Sequence, residues 1–241
     1  MKNNLIVDIN CDMGEGTGYD EAIMPYITSA NIACGYHAGD EKTIRETILL
    51  AKKNNVHAGA HPSFLDKENF GRTDKPTSAA EIYNLVQDQI ILFKRIALDA
   101  DYEVHHVKPH GALYNMAARD RELAKAVSQA VKDVDGSLIL YGLSSSFLIS
   151  EAKAMGLKVW NEVFADRTYG DDGSLTSRSQ SNALIEDVHE AVAHVKEMVF
   201  EKKITTISGL KIPVVAETIC IHGDGKNAVG IAKAVFNTLI K

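Results

Sequence analysis

Short β-branched runs recur along this chain, and each passes within a few residues into a helical pattern. That alternation constrains the fold more than any other feature, because parallel strands need a long crossover between them and a helix is the usual one. Strands are expected near Leu5–Asn10, Ala30–Ala33, Val56–Ala60, Val104–Lys108, Leu138–Tyr141, Lys158–Val163 and Thr218–His222. In "DEKTIRETILLAKKNN", Ile44, Ile48 and Ala51 share one helical face. Ser78 and Glu81 have capping-box spacing ahead of a helix carrying Ile82, Leu85, Val86, Gln89, Ile90 and Phe93. Gly156 closes the helix in "SSSFLISEAKAMG". "ALIEDVHEAVAHVKEMV" and "NAVGIAKAVFNTLI" supply two more helices, and "KKITTISGLKIPVV" reads as a hairpin. Seven βα units in 241 residues predict an α/β fold, a (β/α) barrel one strand short of the usual eight, with an open doubly wound sheet as the alternative. No linker or low-complexity stretch divides the chain, so residues 1–241 read as a single domain.

Composition removes several function classes. A formal charge of −6 offers no basic face for nucleic acid. No apolar run approaches the roughly eighteen residues that span a bilayer, and "MKNNLIVDIN" has no signal-peptide core, so a cytoplasmic protein is expected. Cys11, Cys34 and Cys220 are too few and too scattered for a disulfide framework, and read as small buried hydrophobes.

The first strand raises the functional question. Asp8, Asn10 and Asp12 alternate onto one side of it, where uncompensated burial of an acid is costly. In barrels and doubly wound sheets, catalytic groups gather where strands end and βα loops begin. Here "DINCDMGE", "NIACGYHAGD", "GAHPS", "VKPHGALYN", "EVFADRTYG" and "ICIHGDG" all carry polar residues at such ends. His37, His61, His110 and His222 fall at or just past them; His106, Lys108 and His110 share one face, as do Cys220, His222 and Asp224. Asp12 and Glu15 read as functional, whereas Asp40 is equally suited to capping the helix that begins "EKTI". His57 and His105 read as strand residues with ordinary partners, and His189 and His194 as exposed helix positions. The glycines of "HGDGKNAV" suit an anion at a helix N-terminus, with Lys226 beside it, yet no G-x-x-x-x-G-K-[ST] loop occurs anywhere.

Taken in order, "DINCDMGEG", "SANIACGYHAGD", "AGAHPSF", "FGR", "VKPHGALYN", "EVFADRTY" and "ICIHGD" resemble the LamB/YcsF family over nearly the whole chain. The resemblance implies a seven-stranded barrel related to the glycoside hydrolase/deacetylase barrels. It implies ATP-dependent hydrolytic opening of 5-oxoproline (pyroglutamate) to L-glutamate, performed with the 5-oxoprolinase subunits B and C, which would bind most of the ATP. For that chemistry Asp12, His61, Lys108 and His110 are the catalytic candidates. Asn10, Glu15, His37, Asp40, Arg72, Asp166, Arg167, His222 and Asp224 are candidates for binding or orienting the substrate. Lys108 and Arg167 suit carboxylate or phosphoryl oxygens, Arg72 reaches in from the long loop, and Asp166 and Asp224 orient histidines. Two other readings stay open. Asp12, His61 and His110 have the residue types of a divalent metal site, as in a stand-alone amidase or deacetylase. A non-catalytic subunit that only holds the substrate would use the same anion-binding residues.

Overall fold

The fold is seen in a computed structural model that describes residues 6–239. Strands β1 (Asp8–Met13), β2 (Ser29–Ala33), β3 (His57–His61), β4 (His106–Val107), β5 (Ile139–Leu143) and β6 (Lys158–Phe164) pair in chain order, all parallel. Strands β7 (Lys203–Thr205) and β8 (Lys211–Pro213) form the expected separate antiparallel hairpin. Strand β9 (Thr218–Ile221) then pairs with both β6 and β1, so the sheet is a closed barrel rather than an open one.

Around it lie α1 (Asp20–Ile23), α2 (Glu41–Lys53), α3 (Ala79–Asp99), α4 (Gly111–Arg119), α5 (Arg121–Asp135), α6 (Phe147–Ala154), α7 (Val188–Lys196) and α8 (Ala228–Leu239). The local rules explain their ends. Ser78 accepts from the Glu81 N–H while the Glu81 carboxylate takes the Ser78 N–H, a complete capping box for α3. Ile82, Val86, Ile90 and Phe93 of α3 are buried, and Gln89 among them clamps Ser63 through both its N–H and its C=O at 2.9 Å. The loop after β3 is thereby fixed to the helix that follows it. Gly156 sits just past α6 at φ +81°, a backbone state that glycine adopts without strain.

Several boundaries differ from the sequence expectation. Leu5 lies outside the described residues, and β1 begins at Asp8 and runs on through Met13, so Asp12 belongs to the strand itself. Strand β4 is only the two residues His106–Val107; at its far end Pro109, just beyond Lys108, has no N–H to continue the ladder, although Lys108 still donates to Ala60. Helices α4 and α5 were not anticipated. Asp120 ends one and caps the other by accepting from the Glu122 and Leu123 amides. Residues 183–187 are not helical: Leu184 bridges to Arg167, and Asp187 caps a helix that starts only at Val188. His194, expected on an exposed face, is half-buried and bonds the Arg167 carbonyl.

The barrel interior is polar along one column. Asp8 sits low, accepting from the hydroxyls of Thr28, Ser29 and Thr218. Burial raises its pKa, and those hydroxyls oppose the rise. His106 enters above it and stacks on Tyr141 with ring centroids 4.2 Å apart. The ring fits because β3 offers Gly59, where any β-carbon would stand 2.3 Å from His106 Cδ2. His57 and His105 stack on each other 4.1 Å apart.

Candidate active site

Lys108 is the hub of the barrel mouth. Its Nζ lies 2.9 Å from Asp12 Oδ1, 2.9 Å from Glu162 Oε1 and 3.1 Å from Cys220 Sγ, and the residue is buried. A lone ammonium there would lose several kcal/mol of hydration, so the carboxylates are what keep it charged. Burial alone would lower its pKa, but Asp12, Cys220 and Glu162 outweigh burial and carry it well above the ordinary lysine value. A layer of amides supports the carboxylates from below. Asn31 donates to Asp12 Oδ1 at 2.8 Å and to Asn10 Oδ1 at 2.7 Å, and Asn10 donates to Glu162 Oε1 at 2.9 Å. His106 Nε2, 2.8 Å from Asn31 Oδ1, donates to it and fixes that amide's orientation.

Asp12 and Glu15 are driven in opposite directions. Burial pushes Asp12 up, yet its contacts with His61 and with the Lys108 ammonium leave it well below the usual carboxylate range. Glu15 is carried well above its ordinary value by burial first, then by the charges of Asp12 and Asp224. The histidines gather beside them. His37 Nε2 is 2.9 Å from Glu15 Oε1, His61 Nε2 is 3.4 Å from Asp12 Oδ2, and His110 Nδ1 is 2.9 Å from His61 Nε2. Burial holds His37 down to about 3, so it is a neutral ring at physiological pH.

A second dyad faces this group. His222 Nδ1 is 3.0 Å from both oxygens of Asp166, and its backbone N–H donates to the same carboxylate. Burial would raise Asp166, but His222 overrides it and holds the carboxyl below its usual range. Donor atoms of Asp12, Cys220 and His222 lie within 4.8 Å of one another, as do those of Glu15, His37, His61 and His110. Both sets are groups from which a metal could take ligands.

The mouth opens into a cavity of about 1030 Å³ lined by Asp12, Glu15, His61, Lys108, His110 and His222, with Arg72, Arg167 and Arg178 above. Three βα loops meet over it. Asp224, from the last, takes Arg72 of the third at 2.6 Å and Arg178 of the sixth at 3.6 Å. Arg167 lines the cavity too, but its Nε and Nη2 donate to the carbonyls of Ala183 and Thr176, so part of its fork holds the loop. Gly71, at φ +66°, brings the Arg72 loop down onto the histidines; a β-carbon there would stand 2.2 Å from Ser63 Oγ.

Most of the sequence-expected residues thus converge: Asn10, Asp12, Glu15, His37, His61, Arg72, Lys108, His110, Asp166, Arg167, His222 and Asp224 belong to one connected region. Asp40 does not join them. Its carboxylate accepts from Thr43 N and Thr43 Oγ1, both at 2.8 Å, on the exposed start of α2, which satisfies its capping role completely. Lys226 points away as well, with its ammonium 3.6 Å from Glu186. Glu162, Asn31 and Arg178 escaped the sequence reading. Glu162 carried the same signal as Asp12, an acid inside an apolar strand, whereas Arg178 lies in a loop with no periodicity to mark it.

Similarity to known proteins extends over nearly the whole chain. The model of the LamB/YcsF family matches residues 7–241. The A subunit of 5-oxoprolinase from Staphylococcus carnosus is 50% identical over 240 residues, covering 98% of this chain and 95% of that protein. Its counterpart from Tolumonas auensis is also 50% identical over 240 residues, covering 98% and 96%. The crystal structure of the lactam utilization protein from Thermus thermophilus superposes with a TM-score of 0.89 at 41% identity, covering 97% of this chain and 95% of that one.

Proposed function

This chain belongs to the LamB/YcsF family, and from that premise we propose that it is the A component of a 5-oxoprolinase, the one in which the lactam ring of 5-oxoproline is opened to L-glutamate. Subunits B and C are its partners and carry the ATP chemistry that activates the lactam. The absence of a phosphate-binding G-x-x-x-x-G-K-[ST] loop in this sequence supports that division. The relatives are named as one component of a larger enzyme, which favours this reading over a stand-alone amidase.

Opening an amide requires that hydroxide from water reach the carbonyl carbon and that the ring nitrogen leave with a proton. The observation that carries the proposal is the pairing of Asp12 with His222, whose donor atoms stand within 4.8 Å across the mouth. Asp12, kept ionised by Lys108, takes the proton from an attacking water. His222, oriented through Nδ1 by Asp166, presents Nε2 to the cavity and delivers a proton to the departing nitrogen. Arg72 and Arg178 receive the anionic end of the substrate in place of Asp224. Reconstitution with the two partner subunits tests this. Glutamate and phosphate are released from 5-oxoproline when the chain is present, and glutamate release stops when it is withheld. Unchanged glutamate release by the partners alone overturns the assignment.

A further inference from the structure

His61 and His110 meet at a junction that two neutral rings cannot satisfy. His61 Nδ1 lies 2.6 Å from the Lys108 carbonyl oxygen, and His110 Nε2 lies 2.9 Å from the Phe70 carbonyl oxygen. A carbonyl only accepts, so each of these nitrogens carries a hydrogen. The remaining nitrogens, His61 Nε2 and His110 Nδ1, are then both lone pairs, and they face each other at 2.9 Å. Lone pairs at that separation repel unless something positive lies between them.

Charge decides what it is. Glu15 Oε1 converges on the junction, 3.4 Å from His110 Nδ1 and 3.8 Å from His61 Nε2, and Asp12 Oδ2 borders it 3.4 Å from His61 Nε2. Lys108 is one ammonium shared by two buried carboxylates, Asp12 and Glu162, and among the described residues no ammonium or guanidinium lies within 4.0 Å of Glu15, whose ion-pair partners are histidines alone. A shared proton adds one positive charge between the rings, whereas a divalent cation adds two and also takes Glu15 as a ligand. We propose that this junction binds one divalent first-row transition-metal ion of the zinc class, held by His61 Nε2, His110 Nδ1 and Glu15. Three protein ligands leave a position open toward the cavity, and imidazole with carboxylate is a donor set such ions accept.

The surroundings have the form of a metal site's outer shell. Each ligating histidine donates its other N–H to a backbone carbonyl, the usual way a ligand ring is fixed in tautomer and orientation. His37 is excluded as a ligand by geometry. Its ring lies 3.8 Å from that of His110 and 6° from parallel, so an ion in the plane of one ring is well out of the plane of the other. It donates to Glu15 Oε1 instead and orients that carboxylate. The other donor group, Asp12 with Cys220 and His222, is already filled by the Lys108 ammonium. The inference stands on ring nitrogens and charge, independently of the reaction proposed above.

The test uses the untagged full-length protein, stripped with EDTA and titrated with Zn2+ by calorimetry and with Co2+ by visible absorption. One equivalent per chain binds, with a ligand-field band for Co2+, and Zn2+ raises the melting temperature. Glu15→Gln and His110→Ala weaken uptake by on the order of 100-fold, and His37→Asn by about tenfold, while His189→Ala, on the exposed start of α7, leaves it unchanged. Absence of saturable uptake by the wild-type protein overturns the proposal, as does uptake that Glu15→Gln and His110→Ala leave intact. The wild-type titration decides the matter even where a variant fails to fold, and it reads the metal whether or not 5-oxoproline is the substrate.

Discussion

Asp12 Oδ1 and Lys108 Nζ stand 2.9 Å apart within the barrel mouth, both residues almost wholly shielded from water. Neither charge is tolerable there alone, because breaking one side of such a pair costs about 3–5 kcal/mol. Asp12→Asn keeps the side-chain volume but removes the charge to which the proposed reaction assigns the water's proton. Glutamate release by the reconstituted complex falls by at least about 100-fold. Lys108→Met lowers the melting temperature on its own, and the double variant loses less than the sum of the two, since the second change removes a partner already orphaned. Additive melting shifts show that the pair is not coupled.

In the proposed reaction the loop arginines bind the substrate and take no part in the proton transfers. Arg178 reaches Asp224 only at 3.6 Å, a loose contact that an incoming anion can replace. A charged hydrogen bond contributes about 1.5–3 kcal/mol. Arg178→Ala accordingly raises KM for 5-oxoproline by roughly 10- to 100-fold with kcat little changed. Steady-state kinetics on the complex reads this directly, and a fall in kcat at constant KM removes Arg178 from the binding role.

His106, joined to Asp12 through the Asn31 amide, gives the fold a pH dependence. Burial, then the nearby His105, His57 and Lys108, hold it far below the usual histidine value, so it stays neutral in the folded chain. Below about pH 6.5 the unfolded chain takes up a proton that the folded chain refuses. Stability from this group is therefore fully present above that pH and is lost as pH falls, at up to about 1.4 kcal/mol per pH unit. Urea titrations of the wild type between pH 7 and 5 show the decline, and His106→Gln flattens it by about one proton. An identical slope in the variant means another group carries the effect.

Gly59 faces the same ring. A methyl group at 2.3 Å from His106 Cδ2 has nowhere to go, because the contact is with a stacked side chain in the closed barrel. Gly59→Ala destabilises the protein by about 1–3 kcal/mol or more. The double change Gly59→Ala with His106→Ala recovers part of the loss relative to His106→Ala and Gly59→Ala summed, which thermal melts of the three variants measure.

The legibility of this molecule in its sequence follows the period of its elements. Strands and their inward faces could be read because alternation is local: Asp8, Asn10 and Asp12 announce a polar lining without knowledge of any partner. Closure of the sheet is expected from the count of seven βα units rather than from alternation, and it is made by β9 meeting β1, a pairing of residues more than two hundred positions apart. Glu162 carries the same alternation signal as Asp12 but stands within a strand rather than at the strand ends where barrel sites gather. Arg178 had no local signal at all; its place over the mouth is set by a loop held by the Arg167 fork at Thr176 and Ala183.

Asp40 separates the two kinds of polar residue that strand ends collect. It follows "GYHAG" and precedes a helix, so a binding role and a capping role predict the same residue type. Its carboxylate is committed to Thr43, and its hydrogen bonds to that backbone and hydroxyl hold it below the ordinary aspartate value. As an N-cap it stabilises the first turn of α2. Asp40→Ala therefore lowers the unfolding midpoint modestly while leaving kcat and KM of the complex as they are, and Asp40→Asn, which can still accept from the Thr43 amide, restores most of the lost stability. A large loss of turnover in Asp40→Ala with an unchanged melting temperature would show that the second loop, and not the helix, is what this carboxylate serves.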